Sequence, residues 1–285
     1  MSTAGPVALP PPAVSEPGLI ERIVRSPGRF CLAMLAITTL GLALDRYADL
    51  GAQMLLAVCA WGFLAIAFAY LTPMERAQTS VVVMVATMAE VIGSVIWGIY
   101  SYRLGNLPLF VPPGHGLVYL TGLRLSQTRW PAARPRVFVG LAIAVVTTWA
   151  LLGLVVFERR DVAGAVAAAV LVLFLLRGRA PAVYAGVFFA VAYLEIYGTA
   201  VGTWTWAEEI PGLGVADGNP PSGAACGYVF FDIAALSLAP SLLAAWGALR
   251  RRLAPSAPVD RGVVLQEADA AGVAEPLRQQ AADGR

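Results

Sequence analysis

The chain contains one motif twice, EVIGSVIWGIYSY at residues 90–102 and EIYGTAVGTWTW at residues 195–206. Each copy places a glutamate inside a long apolar run, follows it with two glycines, and ends on two aromatic residues with one residue between them. A charge near the centre of a membrane helix costs about 2.5 to 3.5 kcal/mol on insertion scales, so such a residue has either a partner or a function. The repeated glutamates, Glu90 and Glu195, therefore predict a site inside a bundle of membrane helices.

The overall composition is typical of a polytopic membrane protein. Hydrophobic residues make up 58% of the chain and charged residues only 13%, and the mean hydropathy is +0.70. A soluble domain has about 25% charged residues. In a chain of this composition the net charge of +2 says little about nucleic acid. We expect the membrane as a partner and no nucleic acid. All 20 basic residues are arginine, which is typical of a GC-rich bacterial source and favours the bacterial cytoplasmic (inner) membrane as the location.

Eight apolar runs are long enough, or nearly long enough, to cross about 30 Å of hydrocarbon. They lie near residues 30–44, 51–72, 79–100, 107–123, 137–157, 162–176, 181–203 and 223–248. We therefore predict an all-α fold, a polytopic transmembrane helix bundle of about eight spans. The first, fourth and sixth runs are shorter than the usual span of about 20 residues, which leaves a tilted or partly re-entrant helix open.

The arginines are distributed unevenly over the loops between these runs. Cytoplasmic loops of membrane proteins carry the excess of positive residues. One set of alternate loops holds Arg22, Arg25, Arg29, Arg76, Arg124, Arg129, Arg134, Arg136, Arg177, Arg179, Arg250, Arg251 and Arg252. The other set holds only Arg46, Arg103, Arg159 and Arg160. An even number of spans with both termini in the cytoplasm explains this distribution.

The third and seventh runs carry the two copies of the motif and, with eight spans, cross the membrane in the same direction. This predicts a parallel 4+4 internal repeat, with halves at about residues 29–128 and 134–252, related by an axis along the membrane normal. Residues 1–28 and 253–285 flank this domain and are rich in Pro, Ala and charged residues. We expect them to be a disordered cytoplasmic leader and tail.

Only three acidic residues lie inside the predicted spans: Glu90, Glu195 and Asp232. Burial in a medium of low dielectric keeps a carboxyl neutral at pH 7, as a general acid requires. We therefore predict that these carboxyls are catalytic, together with His115, the only histidine, which would tune Glu90 or relay its proton. The alternative is that each carboxyl is a protonated, hydrogen-bonded rivet between helices.

The sequence indicates neither a metal nor a redox centre. Cys31, Cys59 and Cys226 have no Cys-x-x-Cys spacing, and we interpret them as packing residues. The chain has no glycine-rich phosphate loop with lysine, no His-Glu-x-x-His and no Gly-x-Ser-x-Gly elbow. These absences argue against nucleotide hydrolysis, zinc proteolysis and the familiar serine hydrolases. We expect no metal and no cofactor.

Aromatic and polar residues follow each glutamate at the predicted outer ends of the spans. They are candidates for substrate binding, because the matched Tyr-x-Tyr and Trp-x-Trp pairs are compatible with extended segments at the mouth of a cavity. The alternative is an aromatic belt at the membrane interface. The candidate substrate-binding residues are Tyr100, Tyr102, Trp97, Trp204, Trp206, Asn219 and Tyr228.

The run from Glu90 to Pro113 resembles the multi-span carotenoid hydratases, a membrane family that adds water across an isoprenoid double bond. The resemblance is carried by Glu90, Gly93, Gly98, Tyr100, Tyr102, Gly105 and the step Val111-Pro112. It implies an enzyme without metal or cofactor that acts on an apolar polyene or similar lipid through intramembrane carboxyls. The run PPGHG at residues 112–116 and the second copy of the motif are not part of that family's pattern, so a different lipid substrate stays open.

Three functional hypotheses follow from these residues. The first is an integral membrane enzyme, a lyase or hydratase or an isomerase, that acts on a lipid or isoprenoid (carotenoid-like) substrate by hydration, cyclisation or isomerisation. The second is a proton-coupled small-molecule transporter, because parallel repeats and buried carboxyls also occur in carriers. The third is a non-catalytic membrane scaffold in which the acids are rivets.

Overall fold

The computed structural model describes residues 18–253, and most of them are helical. The helices are α1 (Leu19–Arg25), α2 (Pro27–Asp45), α3 (Leu50–Tyr70), α4 (Pro73–Glu90), α5 (Val111–Ser126), α6 (Arg129–Ala133), α7 (Pro135–Val155), α8 (Val162–Arg177), α9 (Pro181–Val201) and α10 (Ser222–Leu253). A π-helical segment, Val91–Trp97, continues α4. The strands are β1 (Tyr100–Tyr102), β2 (Trp204–Trp206), β3 (Glu209–Ile210) and β4 (Val215–Ala216). Residues up to Leu243 form one compact unit, and α10 from Ala244 belongs to a second.

Six of the described helices are long and apolar enough to cross a membrane, which confirms an all-α bundle of membrane helices. They are Pro27–Asp45, Leu50–Tyr70, Pro73–Trp97, Pro135–Val155, Pro181–Val201 and Ser222–Leu253. α5 and α8 have 16 residues each, fewer than the about 20 that a straight span needs. They correspond to the short fourth and sixth runs of the sequence. The first run, also predicted to be short, is a helix of 19 residues.

α4 begins before its apolar run because of a capping box. Thr72 Oγ1 accepts a hydrogen bond from the Glu75 N–H at 3.2 Å, and the Glu75 carboxylate accepts one from the Thr72 N–H at 2.9 Å. The span is therefore Pro73–Trp97, and Glu90 lies seven residues before its end. The apolar run 79–100 predicts instead that Glu90 lies halfway along the helix. At about 1.5 Å per residue, the Glu90 backbone is about 10 Å from the end of the span.

The predicted disordered leader, residues 1–28, is in part helical. α1 covers Leu19–Arg25, and Glu21 pairs with Arg25 one turn later at 3.0 Å. α2 starts within the same stretch, because Pro27 stands at its first position, where proline is favoured. The rest of the leader, residues 1–17, and the predicted tail beyond Leu253 lie outside the described residues.

α5 and α9 cross in backbone contact at the centre of the bundle. A Cβ added to Gly122 would lie 2.4 Å from the Cα of Val187, and one added to Gly186 would lie 2.2 Å from the carbonyl oxygen of Gly122. Only glycine permits this approach, which is how small residues bring membrane helices together. The surrounding core includes Tyr119 and Phe188, both almost completely buried.

The segments after the two copies of the motif are extended and pair with each other. β1 and β2 form an antiparallel ribbon in which Ser101 lies opposite Thr205, with Tyr100 opposite Trp206 and Tyr102 opposite Trp204. Gly98 and Gly202 end the preceding helices with φ values of 74° and 79°, a left-handed conformation that favours glycine. The helical segments therefore end at Trp97 and Val201, before the ends of the predicted runs at residues 100 and 203. We call the end of the bundle that carries this ribbon the ribbon end.

The π-helical segment accounts for the one-residue difference between the two copies. Gly98 is five positions after Gly93, whereas Gly202 is four positions after Gly198. In the first copy the Gly98 N–H donates to the carbonyl of Gly93, and in the second the Gly202 N–H donates to that of Gly198. A π turn accommodates one extra residue in an otherwise α-helical segment, so both copies present their strands to the ribbon in matching positions.

Candidate active site

The Glu90 carboxylate is surrounded by three hydrogen-bond donors. The hydroxyls of Tyr100 and Tyr102 donate to its Oε2 at 2.8 and 2.7 Å. His115 Nε2 lies 2.9 Å from its Oε1. Both carboxylate oxygens are therefore engaged, and the side chain is buried. This arrangement stabilises the ionised carboxylate, because charge-assisted hydrogen bonds are stronger than neutral ones.

The two tyrosines remain donors over the whole physiological pH range. Burial raises the pKa of Tyr100 and of Tyr102 above the usual phenol value, and the neighbouring Glu90 raises both further. A phenolate beside a carboxylate in a medium of low dielectric is unfavourable. The hydroxyl protons therefore stay on the tyrosines and point at Glu90.

His115 lies in the first turns of α5 between aromatic rings of α10. Its ring centroid is 5.2 Å from that of Tyr228 and 5.9 Å from that of Phe231. Its Nδ1 is buried and has no hydrogen-bond partner among residues 18–253. A buried polar nitrogen without a partner is unfavourable by about 1 to 3 kcal/mol.

The Glu195 carboxyl has a different environment from Glu90. The indole N–H groups of Trp204 and Trp206 both donate to its Oε2, at 3.0 and 3.3 Å. No side chain of the described residues bonds to its Oε1, and no histidine of the described residues lies beside it as His115 lies beside Glu90. The two equivalent glutamates therefore have unequal surroundings, one engaged at both oxygens and one with a free oxygen.

The glycine three residues after each glutamate makes room for an aromatic ring. A Cβ added to Gly198 would lie 2.1 Å from the ring of Trp204, and one added to Gly93 would lie 3.1 Å from the ring of Tyr100. The ring of the strand can thus lie against its own helix and reach back to the glutamate one turn earlier. The repeated spacing in the sequence, Glu-x-x-Gly followed by aromatic-x-aromatic, is what this packing of ring against helix requires.

Both carboxyls line one cavity of about 630 Å³. Tyr100, Tyr102, Trp204 and Trp206 from the ribbon line it, as do His115 and Tyr228. Most of the other lining residues are aliphatic and come from α2, α3, α5, α8 and α10. The volume lies within the range of about 300 to 1,000 Å³ that is usual for small-molecule sites. An apolar molecule in this cavity would lie against two carboxyls and a histidine.

Three predicted site residues lie outside this cavity. Trp97 is partly exposed and donates from Nε1 to the carbonyl of Pro211 at 2.8 Å. Asn219 Oδ1 accepts from the Trp206 N–H at 3.1 Å, so it positions the ribbon rather than a ligand. Asp232 is buried on α10 but does not line the cavity, and its Oδ2 has no hydrogen-bond partner among residues 18–253. It lies one turn beyond Tyr228, away from the ribbon end.

Sequence reasoning missed the polar residues that hold the ribbon in place. Arg103 donates to the carbonyl of Asp45 at the end of α2 and to that of Ala48 in the loop between α2 and α3, each at 2.5 Å. Arg159 donates to the carbonyl of Trp206 at 3.0 Å and also to that of Ala207. These are two of the few arginines assigned to the outer loops. Because arginine is rare in this set of loops, the presence of Arg103 and Arg159 there was the signal in the sequence that these two residues have a structural role.

Asp161 is a second residue that sequence reasoning missed. It caps α8 by accepting from the Gly164 N–H at 2.9 Å. It also accepts from the N–H and the hydroxyl of Ser222 at 2.8 and 2.7 Å, which joins the start of α8 to the start of α10. The signal in the sequence is an aspartate directly before an apolar helix.

Within the described part of the chain, no group of three or more His, Cys, Asp or Glu side chains is placed to hold a metal ion. The prediction that the protein needs no metal and no cofactor stays a prediction. Comparison of the chain with protein-family models, with curated proteins and with solved structures finds no match in any of the three.

Proposed function

We propose that the protein is an integral membrane enzyme that uses Glu195 as acid and Glu90 with His115 as base on an apolar isoprenoid, carotenoid-like lipid. The observation that carries this proposal is the unequal hydrogen bonding of two equivalent carboxyls in one apolar cavity. Glu90 accepts from three donors, whereas Glu195 keeps one oxygen free. Pairs of titratable groups with contrasting environments are how enzymes separate an acid from a base.

The free Oε1 of Glu195 suits a carboxylic acid that carries its proton toward the cavity. The indole donors on Oε2 orient the group. Transfer of this proton to one carbon of an isoprenoid double bond leaves a cation on the other carbon and a negative charge on Glu195. Both indoles then donate to the carboxylate that has formed, so the donors are already in place for the charged product.

Glu90 and His115 suit the second half of the reaction. In a hydration, the oxygen of a water molecule bonds to the cationic carbon, and one water proton passes to the Glu90 and His115 pair. Return of that proton to Glu195 restores both groups, and the net change is the addition of water. In an isomerisation or cyclisation, the pair instead removes a proton from a neighbouring carbon. The rings of Tyr228 and Trp206 line the same space and would stabilise a cation there by cation–π attraction.

We further propose that all eight longer helices, including α5 and α8, span the membrane as a parallel 4+4 repeat. The pairing of the ribbon supports this, because a register centred on Ser101 and Thr205 is what a twofold axis between the halves would produce. With the arginine bias, the ribbon end then faces away from the cytoplasm and both termini lie inside the cell. The bacterial inner membrane remains the proposed location.

The experiment is a comparison of carboxyl variants with an acyclic carotenoid in deuterium oxide, followed by mass spectrometry of the lipid. Hydration adds deuterium to carbon together with oxygen, whereas isomerisation adds deuterium alone. We expect Glu195→Gln and Glu90→Gln each to lose about 10²- to 10⁴-fold in rate, since a glutamine cannot transfer a proton in general acid–base catalysis. Asp232→Asn is the matched control, because it changes a buried carboxyl outside the cavity.

Full activity in both glutamine variants would show that the carboxyls only form structural hydrogen bonds between helices, and it would reject the proposal. Loss of activity in Asp232→Asn to the same degree would show that the effect is on folding. Proton-driven uptake of a solute into vesicles that contain the purified protein, without a change in the lipid, would favour the transporter hypothesis instead.

A further inference from the structure

The cavity that contains Glu90 and Glu195 is closed at one end and open at the other. Its lining runs from α2 and α3 on one side to α8 and α10 on the other. The two ends differ in the size and in the exposure of the side chains that form them, and this difference indicates how a ligand reaches the carboxyls.

The open end lies between α2 and α3. Leu40 and Leu44 of α2 line the cavity, yet they are 61% and 52% exposed. Cys59 and Phe63 of α3 also line it and are exposed. Side chains on the wall of an enclosed cavity are not accessible to this extent. The cavity therefore opens through the side of the bundle, on faces of two helices that are long and apolar enough to span a membrane.

The closed end lies between α8 and α10, and its wall is made of small residues in close contact. A Cβ added to Gly223 would lie 2.9 Å from the Cα of Gly164. Gly164 is buried, and Ala163, Ala167 and Gly227, which also line the cavity, are at most half-exposed. A molecule that enters between α2 and α3 would therefore stop against this wall, beyond the two carboxyls.

We propose that one long, linear, apolar lipid chain enters the cavity end first from the bilayer through the gap between α2 and α3. This inference rests on the proposed function and names the form of its substrate and the route by which it arrives. The side chains at the gap are aliphatic, aromatic or a thiol, and the ionisable groups lie further in. A cavity of about 630 Å³ accommodates the end of a long polyene, while the rest of the chain stays in the membrane.

Two glycines give a matched pair of variants to test the route. Gly41 on α2 lines the cavity, and a Cβ there meets nothing within 4 Å, so a larger side chain projects into open space at the gap. Gly62 on α3 also has nothing within 4 Å of an added Cβ, but it does not line the cavity. Gly41→Phe should therefore obstruct the gap, and Gly62→Phe should leave it open with the same change in side chain.

The probe is a linear terpene hydrocarbon with a terminal diazirine, bound to the purified protein, irradiated and mapped by peptide mass spectrometry. We expect labelling of α10 near Gly227 and Tyr228 in the wild-type protein. Gly41→Phe should reduce this labelling at least tenfold, and Gly62→Phe should leave it unchanged. Equal labelling of the α10 peptides in Gly41→Phe and in wild type would reject access through this gap.

A modification made after folding avoids the case in which Gly41→Phe fails to fold. Cys59 is exposed at the gap, whereas Cys31 is half-buried and Cys226 is buried. Treatment of the folded protein with a bulky maleimide should reduce labelling of α10, and the same treatment of Cys59→Ser should not. Unchanged labelling of α10 after complete reaction of Cys59 would also reject the route.

Labelling and catalysis separate this inference from the proposed function. Glu195→Gln should retain α10 labelling while it loses turnover. Labelling that depends on the gap, combined with full activity of the glutamine variants, would reject the acid–base mechanism and leave the route intact. If the labelling of α10 is the same in Gly41→Phe as in wild type while the glutamine variants are inactive, the route is rejected and the acid–base mechanism is retained.

Discussion

Glu90 and Glu195 occupy equivalent places in a repeated motif and differ because of their neighbours. The first copy ends on tyrosines and lies beside His115, and the second ends on tryptophans and has no histidine. A tyrosine donates one strong hydrogen bond through oxygen, whereas a tryptophan donates through nitrogen and cannot accept. Together with the presence or absence of His115, the exchange of these two residue types gives Glu90 three partners over both oxygens and Glu195 two donors on a single oxygen.

Asp217 lies outside the membrane helices, and we expect it to make the stability of the protein depend on pH. It lies in the loop between β4 and α10 and lines the cavity, and its Oδ2 has no hydrogen-bond partner among residues 18–253. Burial raises the pKa of Asp217 to about 7, the charge of Asp161 adds to the rise, and Arg159 opposes it. A free aspartate in an unfolded chain has a pKa of about 3.9.

The direction of the resulting pH effect on stability follows from linkage. Between about pH 4 and pH 7 the folded protein holds a proton on Asp217 that the unfolded chain has released, so this group favours the fold at low pH. That contribution is lost as the pH rises through 7. We expect the thermal unfolding temperature in detergent to fall from about pH 5 to about pH 8, and Asp217→Asn to flatten the curve. A steeper decline in Asp217→Asn than in wild type would contradict this assignment.

The β1–β2 ribbon is the element that makes one site from two halves of the chain. It consists of only three residue pairs, and it carries four of the aromatic rings that line the cavity. The flanking bonds from the Arg103 N–H to the Thr203 carbonyl and from the Ala207 N–H to the Ile99 carbonyl extend the same register. In an antiparallel ladder the bonded pairs alternate, so Ser101 and Thr205 form a hydrogen-bonded pair.

Ser101→Pro should therefore disrupt the ribbon, because proline has no N–H to donate in the central pair. We expect a loss of about 1 to 3 kcal/mol in the free energy of unfolding, the usual effect of leaving a backbone group without its partner, and a loss of activity. Ser101→Ala is the control, since it removes an exposed hydroxyl and keeps the N–H. Denaturant titration in detergent measures both variants. Equal stability of the proline and alanine variants would show that the ribbon contributes little.

At the scale of the whole molecule, hydrogen bonds from two arginines join the loops at the ribbon end to the ribbon, and the proposed topology places these loops on one side of the membrane. Arg103 connects the ribbon to the loop between α2 and α3, and Arg159 connects it to the loop between α7 and α8. The loops at the other end contain most of the arginines counted near the spans. By the positive-inside rule, the proposed topology has that other end in the cytoplasm.

Single cysteines in a variant without Cys31, Cys59 and Cys226 test this orientation with a maleimide that does not cross membranes. Tyr47 and Leu213 are exposed at the ribbon end, and cysteines at these positions should be labelled in intact cells. Arg129 and Arg179 are exposed at the other end, and cysteines there should be labelled only after the membrane is opened. Labelling of positions 47 and 129 from the same side would contradict the topology.

Much of the helical architecture was predictable because it depends on local sequence. Long apolar runs and few charges identified a bundle of membrane helices, and the repeated glutamate, glycine and aromatic spacing identified the carboxyls and four of the rings that line one cavity. Prolines at first helical positions and the Thr72 and Glu75 capping box then set the starts of the helices more closely than the apolar runs did. Each of these signals is contained within a few residues of chain.

The sequence by itself thus determined the class of the protein, most of its longer helices and the glutamate pair, whereas only the tertiary structure decided which side chains share the cavity. Asp232 and Trp97 were predicted as site residues and lie outside the cavity, whereas Arg103 and Asp161 were not predicted and hold its walls in place. The physical reason is that lipid is as apolar as a helix interface. Hydrophobic periodicity, which distinguishes the buried face of a soluble helix, therefore carries little information about which face of a membrane helix meets protein.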